Sequence, residues 1–356
     1  MTHLKPSYRA VLTNTLEASE SLIRLWTENL PIHGDPEAKL RWFYQDAPAG
    51  KGEAFILHEP TSDQPVGCAG ISTREVVFRG AVSRAALLAD FAIDRQHRSA
   101  LPALVLSRSV KQHIDATYNL SYGLPNNSAV AVFKRTGYHE LGRMARFVRV
   151  LRHASFLERR FGGRRRSALA GTIVDRAMLV TSVARGLSTR ARYALRWASD
   201  FDSRWDRLWE RASPNYPILC RRSSAFLRWR FLRKPNERNA IAALIDRFTG
   251  IIAAYAIVRG ERDQPAELVD LFGITPHEID VLLDHLVPAL YARGHTTVEF
   301  RYLGHPRMLE VLARHLFTLR TADRVVVVSP GAACAIDHAV LADASSWYMT
   351  DLDEDT

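Results

Sequence analysis

The chain consists of short apolar runs separated by turns and by stretches with an apolar stripe at helical spacing, and this order occurs twice. In the first half, runs such as "GEAFILHE" and "AALLADFAID" are typical of buried strands, and a helix-like stripe containing Val110 and Ile114 follows them. The second half repeats the order helix, helix, strands, helix, strand, helix, strand. We therefore predict an α/β fold, α+β by some schemes, with two tandem units that each hold a mixed central sheet flanked by helices.

Two short blocks show the repeat at the level of individual residues. The block "RLWTENLP" at 24–31 recurs as "RLWERASP" at 207–214, and "LRWFYQDAP" at 40–48 recurs as "LRWRFLRKP" at 227–235. Two matching blocks in the same order and at similar offsets indicate a duplicated unit. The predicted segments are a first unit at 1–150, an arginine-rich helical linker at 151–197, a second unit at 198–345 and an acidic, frayed tail at 346–356.

The net charge of +10 is concentrated around the linker. Residues 141–197 hold fourteen arginines and two acidic residues, a net of +12, so the remainder of the chain sums to −2. One helical face of this segment can be shared by Leu169, Ile173, Val180 and Leu187. Three interpretations fit: an amphipathic helix at a membrane surface, a cationic surface for a nucleic acid or an anionic cofactor, and an interdomain helix with solvated arginines.

Composition narrows the class of protein. No apolar run reaches the roughly 18 residues that a membrane span needs, and "MTHLKPSYRA" lacks the apolar core of a signal peptide. The three cysteines, Cys68, Cys220 and Cys334, are far apart and show no metal-ligand spacing. We expect a cytoplasmic protein with buried, inert thiols and no metal, with a peripheral position at the inner membrane face as the alternative that the arginines allow.

A basic turn follows the acidic strand of the first unit. The strand-like run ends near Asp94, a helix begins near Ser99, and Arg95, His97 and Arg98 lie between them. The free amides and the dipole of a helix start favour a phosphate, and neighbouring cations add charge complementarity. This turn is therefore a candidate phosphate site.

A second helix start follows in the same unit. Pro125, Asn126 and Ser128 begin a short apolar helix that Gly137 ends, and Tyr138 comes next. Proline and asparagine are favoured where a helix begins and glycine where it ends, so these residues also have a purely structural interpretation.

Together the two helix starts resemble motifs of the GCN5-related N-acetyltransferase (GNAT) superfamily. Arg98-x-x-Leu101-x-Ala103 resembles the family's Gln/Arg-x-x-Gly-x-Gly/Ala loop, and Asn126-x-x-Ala129-x-x-x-Phe133-x-x-x-Gly137-Tyr138 resembles its Asn-x-x-Ala-x-x-x-Tyr-x-x-x-Gly-Phe segment. The segments "LRWFYQDAPAG" and "YGLPNN" are similar to those of a subgroup found in bacterial exopolysaccharide gene neighbourhoods. The resemblance covers most of residues 10–150 and is weaker across 198–335.

The resemblance implies an acyl-CoA site in the first unit. In the family, the sheet opens between two parallel strands, here 88–94 and 119–123, and the pantetheine arm lies in the gap like an added strand. Backbone amides from Phe91 to Ile93 would then stabilise the oxyanion. The other implied donor-binding residues are Arg98, Ser99, Ala100, Leu101 and Ala103 at the pyrophosphate, and Asn126, Ser128 and Phe133 along the pantetheine.

Acyl transfer from a thioester to an amine needs a base, an oxyanion site and, for the best rate, an acid for the departing thiolate. The candidates are Asp90 for the base, with Asp94 and Glu53 as rivals, and Tyr138 for the acid, with Tyr122 as its rival. The family's tyrosine, which would donate a proton to the thiolate, aligns here with Phe133, which has no ionisable proton. Leu101 also departs from the family, since it replaces a glycine at the phosphate loop.

The expected function is therefore transfer of an acyl group, most simply acetyl, from acyl-CoA to an amine of a sugar or small metabolite. Two alternatives stay open. The departures at Phe133 and Leu101 allow a non-catalytic acyl-CoA-binding or scaffold protein of a polysaccharide assembly system. The basic linker allows an aminoacyl-tRNA-dependent transferase, although the loop at Arg98–Ala103 favours CoA over a nucleic acid.

The second unit shows no comparable loop after its own acidic strand, which contains Asp270. We expect it to have lost the CoA site and to form an acceptor cleft against the first unit, because ligand sites favour domain interfaces. The candidate wall residues, which could equally belong to the core, are Trp42, Tyr44, Arg228 and Trp229.

Overall fold

The computed structural model describes residues 7–31, 34–154 and 164–355. Its α-helices are α1 (Ser19–Asn29), α2 (Pro36–Lys39), α3 (Ala100–Thr117), α4 (Asn127–Arg135), α5 (Arg164–Leu187), α6 (Ser203–Ala212), α7 (Ser224–Leu232), α8 (Pro276–Ala292), α9 (Pro306–Arg314) and α10 (His338–Ala342). Its strands are β1 (Arg9–Thr13), β2 (Glu53–His58), β3 (Pro65–Phe78), β4 (Ala81–Ile93), β5 (Leu120–Gly123), β6 (His139–Val150), β7 (Tyr193–Ala198), β8 (Ile218–Cys220), β9 (Ala240–Asp246), β10 (Ile252–Arg259), β11 (Ala266–Gly273), β12 (Thr297–Gly304), β13 (Thr318–Pro330) and β14 (Trp347–Met349).

These strands form one mixed sheet. The main path runs in the order β1-β2-β3-β4-β5-β13-β6-β12-β11-β10-β9-β7, and at its side β14 pairs with β12 and β8 while β8 pairs with β3. Along the main path the pairing is parallel between β4 and β5 and between β11 and β12. Strands and helices alternate along much of the chain, so the predicted mixed α/β class is confirmed.

The two halves exchange their last long strands. Strand β6 of the first half pairs with β12 of the second, from Val150 opposite Thr297 to Ala145 opposite Tyr302. Strand β13 of the second half pairs with β5 of the first and with β6. The hydrogen-bonded ladder therefore continues from one half into the other. The predicted boundaries at 150 and 198 stay a prediction, and the sheet crosses them.

Helix α3 buries the apolar stripe that the sequence predicted for it. Leu106, Val110 and Ile114 repeat at helical spacing and are fully or almost fully buried against the first-half sheet. Tyr118 ends the helix, with its backbone amide bonded to the Ile114 carbonyl. The following strand, β5, is buried along its whole length because the sheet is covered on both faces there.

The prediction of a frayed acidic tail is wrong. Strand β14 leads into a 3₁₀ turn, Asp351–Asp353, whose residues are buried, and Thr350 caps this turn with its side chain. Buried carboxylates need partners, and arginines supply them: Arg222 contacts Asp353 at 3.3 Å and Arg301 contacts Asp351 at 3.1 Å. The acidic residues of this segment therefore pair with buried and half-buried arginines and do not lie in solvent.

Helix α5 carries most of the described part of the arginine-rich linker; residues 155–163 lie outside the described residues. Its inner face uses small or polar residues: Ser182 accepts a hydrogen bond from Arg149 at 2.8 Å, and Asp175 accepts one from the His153 backbone at 2.9 Å. Ile173 and Val180, which the sequence placed on one helical face, are 69% and 64% exposed. That apolar face therefore points to solvent and not to the core.

The duplicated "LRW" blocks meet at the junction of the halves. Trp42 lies in a π-helical turn (Leu40–Gln45) that continues α2, and Trp229 lies in α7. The two indoles stack with ring centroids 5.1 Å apart and 18° between their planes. Each indole nitrogen donates to the other's backbone carbonyl, Trp42 to Trp229 at 2.9 Å and Trp229 to Trp42 at 2.8 Å. The tryptophans of the two "LRW" blocks thus join the halves through the same pair of contacts in both directions.

We predict that the pair is energetically coupled. Trp229→Phe removes one donor and leaves the buried Trp42 carbonyl unpaired, which should lower the free energy of unfolding by about 1–3 kcal/mol. In a double-mutant cycle with Trp42→Phe, measured by urea denaturation, the coupling energy should be about 0.5–3 kcal/mol. Trp197→Phe, at a half-buried indole away from the junction, is the control. Strict additivity of the two single losses would contradict coupling.

Candidate active site

Strands β4 and β5 separate after a short parallel ladder. The ladder runs from Ala85 opposite Leu120 to Leu88 opposite Gly123, where β5 ends while β4 continues to Ile93. Beyond Leu88, the edge of β4 that faced β5 has no partner strand within the described ranges. A Cβ on Gly123 would lie only 2.9 Å from the Leu88 Cβ, so glycine permits the close approach just before the strands part.

A β-bulge lies on the open part of β4. The register between β3 and β4 shifts between Cys68 and Gly70, so two residues, Asp90 and Phe91, oppose a single residue of β3. Asp90 adopts the left-handed conformation with φ of 51°. A bulge takes its extra residue out of the ladder and re-aims the neighbouring groups. Backbone polar groups at the bulge are therefore not all paired with β3, and they lie at the mouth of the gap.

The gap opens into a cavity of about 690 Å³ that extends to the second half. Its first-half wall includes Leu30, Asp35, Lys39, Trp42, Leu88, Ala89, Asp90, Phe91, Gly123, Leu124, Pro125, Asn126, Ala129 and Phe133. Its second-half wall includes Lys234, Pro235, Asn236, Glu237, Arg259 and, from the C-terminal segment, Asp355. The cavity is therefore apolar around the gap and charged towards the second half.

Asp90 lies at the gap, and both of its carboxylate oxygens are engaged. Oδ1 forms an ion pair with the Lys39 ammonium, and Oδ2 accepts a hydrogen bond from the Tyr44 hydroxyl at 2.6 Å. Burial opposes the charge of Lys39, but Asp90 outweighs it and raises the pKa of this amine; burial and the same carboxylate raise the pKa of Tyr44. An amine approaching Asp90 would compete with these two donors.

The start of α3 is the position of the predicted phosphate loop, and the Ser99 amide there donates to the His97 carbonyl at 2.8 Å. Ser99 is the N-cap in an extended conformation and makes no capping hydrogen bond with its side chain. Leu101 is 61% exposed, so its side chain points away while its amide stays at the helix start. Pro102 has no amide to contribute. The Arg98 guanidinium is not free, since it donates to the Ile93 carbonyl at 3.0 Å and to Asn29 at 3.2 Å.

Helix α4 borders the gap as predicted. Asn126 is its N-cap and accepts a hydrogen bond from the Ala129 amide at 3.0 Å, while Gly137, with φ of 97°, follows its C-terminal end. Phe133 is buried and packs edge-on against Phe91 with ring centroids 5.4 Å apart, so the two rings form one apolar wall. Asn126, Ala129, Phe91 and Phe133 all line the cavity.

The other predicted site residues lie away from the cavity wall. Ser128 is exposed on the outer side of α4, and Ile93 is buried at the end of β4. Ala100 and Ala103 belong to the first turn of α3, exposed and buried respectively. The expectation that Tyr138 supplies a proton is not supported, because its ring is buried behind Phe133 and burial raises the pKa of its phenol.

The rival catalytic residues have structural partners. Glu53 contacts His113 at 2.9 Å and accepts from the Tyr118 hydroxyl at 3.0 Å, on the other side of β3 from the gap mouth. Asp94 caps the 3₁₀ turn Arg95–His97 by accepting from the Gln96 amide. The Tyr122 hydroxyl is buried against Cys220 at 3.2 Å. None of the three lines the cavity, so Asp90 is the only base candidate from the sequence that does.

Apart from Asp90, sequence reasoning missed the charged residues of the cavity. Lys39 directly precedes the first "LRW" block, Lys234 lies within the second and Glu237 follows it, so the duplicated blocks were the available signal. Lys234 forms an ion pair with Glu237, and burial, together with the nearby Arg230, lowers the pKa of Lys234 to about 8. Asp355 carried no signal, because it lies in the acidic segment that the sequence assigned to solvent.

Of the candidate wall residues, Trp42 lines the cavity. Tyr44 and Trp229 are core residues, and Arg228 instead pairs with Asp200 at 2.8 Å near the surface. Cys68 and Cys220 are buried as expected, while Cys334 is half-buried. Within residues 7–31, 34–154 and 164–355, no three His, Cys, Asp or Glu side chains gather as metal ligands do.

The second half has the same carboxylate but no open gap. Asp270 accepts a hydrogen bond from the Tyr255 hydroxyl at 2.6 Å, the distance at which Asp90 accepts from Tyr44. Strands β11 and β12 pair in parallel and then part, and the C-terminal strand β14 pairs with the end of β12. The Tyr348 hydroxyl of β14 donates to the Leu271 carbonyl of β11. The chain's own C-terminal segment therefore fills the second gap.

No protein-family model matches the chain, and no curated protein matches its sequence. Solved structures do resemble it. A conserved protein from Enterococcus faecalis V583, described as a probable N-acyltransferase, superposes with a TM-score of 0.64 at 12% identity, covering 92% of this chain and 73% of its own. The chain has the GNAT fold.

Two further structures support this fold. A GCN5-related N-acetyltransferase from Anabaena variabilis has a TM-score of 0.63 at 13% identity, over 90% of this chain and 72% of its own. Another from Kribbella flavida has a TM-score of 0.59 at 15% identity, over 92% and 72%. The matches extend over both halves, so the GNAT-like architecture is a property of the whole chain and not of the first half alone.

We predict that the two equivalent carboxylates differ in their effect on stability. Asp270→Ala leaves the fully buried Arg222 with one carboxylate fewer, and breaking such a buried pair costs about 3–5 kcal/mol. Asp90→Ala leaves Lys39 beside the cavity, where water can reach the amine, but it also removes the acceptor of the buried Tyr44 hydroxyl, so a smaller loss of about 1–3 kcal/mol is expected. Urea denaturation of the two variants checks this. Equal losses in the free energy of unfolding would show that the Lys39–Asp90 pair is as inaccessible to water as the Arg222–Asp270 pair.

Proposed function

We propose that the protein is an acyl-CoA-dependent N-acyltransferase. The observation that carries the proposal is the open edge of β4 beside α4, with a bulge at Asp90 and a cavity that continues towards the second half. An open strand edge can pair with an extended ligand in the manner of an added strand. The GNAT fold agrees with this use of the gap.

The donor would bind along the first half only. The pantetheine arm lies between β4 and α4, against the Phe91–Phe133 wall and beside the Asn126 side chain. The pyrophosphate lies at the start of α3, where the amides of Ala100, Leu101 and Ala103 and the helix dipole favour negative charge. Arg98 adds charge from its position beside Ile93. The second half takes no donor, because β14 occupies its gap.

The reaction joins the acceptor nitrogen to the acyl carbon and releases CoA. The amine attacks the thioester carbonyl, and the bulge amides at Phe91 stabilise the oxyanion that forms. The carbon–sulfur bond then breaks and its electron pair leaves with sulfur. Phe133 cannot protonate that sulfur. A thiol ionises near pH 8.5, so the thiolate is a tolerable leaving group and takes its proton from solvent.

The acceptor would enter from the junction of the halves. The second-half wall presents Lys234, Glu237 and Arg259, and its room suits a small polar molecule. We extend the proposal to an amine of a sugar or small metabolite, in line with the exopolysaccharide-associated subgroup that "LRWFYQDAPAG" and "YGLPNN" resemble. The charged residues around the gap are paired, Lys39 with Asp90 and Lys234 with Glu237, so the cavity itself offers few free cations for an RNA donor.

Acetyl-CoA should stabilise the folded protein. At a concentration 100 times its Kd the gain is about 2.7 kcal/mol, measurable as a thermal shift. Ala129→Trp should abolish the shift, because Ala129 lines the gap and a large ring there blocks the pantetheine. Ala131→Trp, at an exposed position of the same helix, is the matched control and should keep it. A shift that persists in Ala129→Trp would place the ligand elsewhere.

We further propose that α5 makes peripheral contact with an anionic membrane surface. Its outward face carries Ile173, Val180 and Leu187, and Leu187 is 59% exposed. Arg176 and Arg190 are exposed on the same helix and in the turn after it. Apolar side chains that enter the headgroup region beside cations are the arrangement of an in-plane amphipathic helix. No described helix is long and apolar enough to cross a bilayer.

This contact predicts binding to vesicles that contain phosphatidylglycerol but little binding to pure phosphatidylcholine. Each arginine near the surface contributes about 1 kcal/mol, so binding should weaken as salt rises. Val180→Glu should reduce binding by tenfold or more, since an apolar contact of about 1.5–3 kcal/mol is lost. Val82→Glu, at an exposed position of β4 in the first half, is the control. Equal cosedimentation of both variants would contradict the proposal.

A further inference from the structure

Residues 350–355, near the C-terminus, reach the proposed acceptor cavity. Its course is fixed by buried arginines: Arg222 holds Asp353, and Arg230 donates to the carbonyls of Asp351 and Leu352, each at 3.2 Å. Arg324 forms an ion pair with Glu354. The next residue, Asp355, is half-buried and lines the cavity that Asp90 also lines. A rigid segment therefore delivers one carboxylate to the site.

Asp355 differs from the other carboxylates of the cavity. Asp90 is engaged by Lys39 and Tyr44, Glu237 by Lys234 and Arg259, and Asp35 by the backbone amide that it caps. Asp355 forms no hydrogen bond or ion pair with another residue in the described part of the chain. Its carboxylate accepts a hydrogen bond only from its own backbone amide within the described residues, so it keeps lone pairs with which to accept a proton in the cavity.

We propose that the Asp355 carboxylate is the catalytic base that takes the proton from the acceptor amine. The inference rests on the proposed acyl transfer. The acceptor binds as an ammonium, and one proton passes to Asp355. The freed electron pair forms the carbon–nitrogen bond, and the carbon–sulfur bond breaks. The nitrogen's second proton passes through solvent to the thiolate, and Asp355 returns its proton to water. Nothing is oxidised or reduced, and the products are an amide, CoA and one proton.

The electrostatic surroundings suit this role. Burial, and next the charge of Asp90, raise the pKa of Asp355 to about 6, while the Lys39 ammonium limits the rise. A base with a pKa near the working pH accepts a proton readily and is still largely ionised at pH 7. The charged and titratable groups close enough to interact electrostatically with Asp355 are Lys39, Tyr44, Arg74, Asp90 and Glu354.

The test compares two amines as acceptors of the acetyl group from acetyl-CoA. Propylamine is an ammonium at pH 7 and needs a base, whereas hydroxylamine is weakly basic and already neutral. Asp355→Asn should lower kcat/KM for propylamine by about 100- to 10,000-fold and leave hydroxylamine nearly unchanged. With propylamine, the wild-type rate should rise with pH through about 6, the pKa of Asp355, because the base must be ionised, and this limb should vanish in the variant.

Controls separate this role from a structural one. Asp355→Glu should recover part of the propylamine rate, and Asp337→Asn, at an exposed helix cap, should match the wild type. Acetyl-CoA should stabilise Asp355→Asn as much as the wild type. Equal losses with both amines, or no loss with either, would overturn the assignment. If acetyl-CoA stabilises the wild type but neither amine releases CoA, the donor site stands and the role of Asp355 is wrong; without stabilisation, the proposed function itself fails.

Discussion

The reciprocal stack of Trp42 and Trp229 is the contact on which the geometry of the cavity depends. Each indole satisfies the other's backbone carbonyl, so neither half can bury its own tryptophan fully hydrogen-bonded without the partner. Trp42 also lines the cavity, and Lys234 lies a few residues after Trp229. The pair therefore fixes the distance between the gap of the first half and the charged wall contributed by the second. The exchange of β6 and β13 holds the two halves in this arrangement, because the halves share one hydrogen-bonded sheet.

The C-terminal segment converts this near-symmetric arrangement into an asymmetric one. In the second half, β14 and the turn after it close the space between β11 and β12, and Asp270 becomes a fully buried partner of Arg222 and Thr350. In the first half, no described strand closes the corresponding space. A single stretch of about ten residues at the end of the chain thus removes one potential ligand site and contributes Asp355 to the other.

Much of the first-half geometry was predictable, because local signals and tertiary packing agree there. Ser99 and Asn126 begin helices and Gly137 follows one, as the residue pattern indicated, and the strand with Asp90 borders a gap, as the resemblance to the GNAT family implied. The arginine-rich and acidic segments were harder. A run of charged residues lies in solvent only if no complementary charge is buried nearby. Composition alone does not reveal that the buried Arg222 and the half-buried Arg301 form ion pairs with Asp353 and Asp351. Likewise, the apolar stripe with Val180 predicted a helix but not which of its faces is buried, since small residues such as Ser182 can pack closely against a neighbouring helix.

The choice of cation explains how similarly placed carboxylates of the two halves, Asp90 and Asp270, differ in their surroundings. Arg222 keeps its charge when fully buried, and its planar fork reaches Asp270 and Asp353 at once, which suits a closed, dry site. Lys39 is a compact point charge on a flexible stem, and its side chain is still 21% exposed beside the cavity. A lysine can hold Asp90 while leaving room for a ligand, whereas an arginine would extend its fork across the space. The first half thus keeps a partly exposed ion pair at the edge of the cavity, and the second half buries its carboxylate–arginine pair completely.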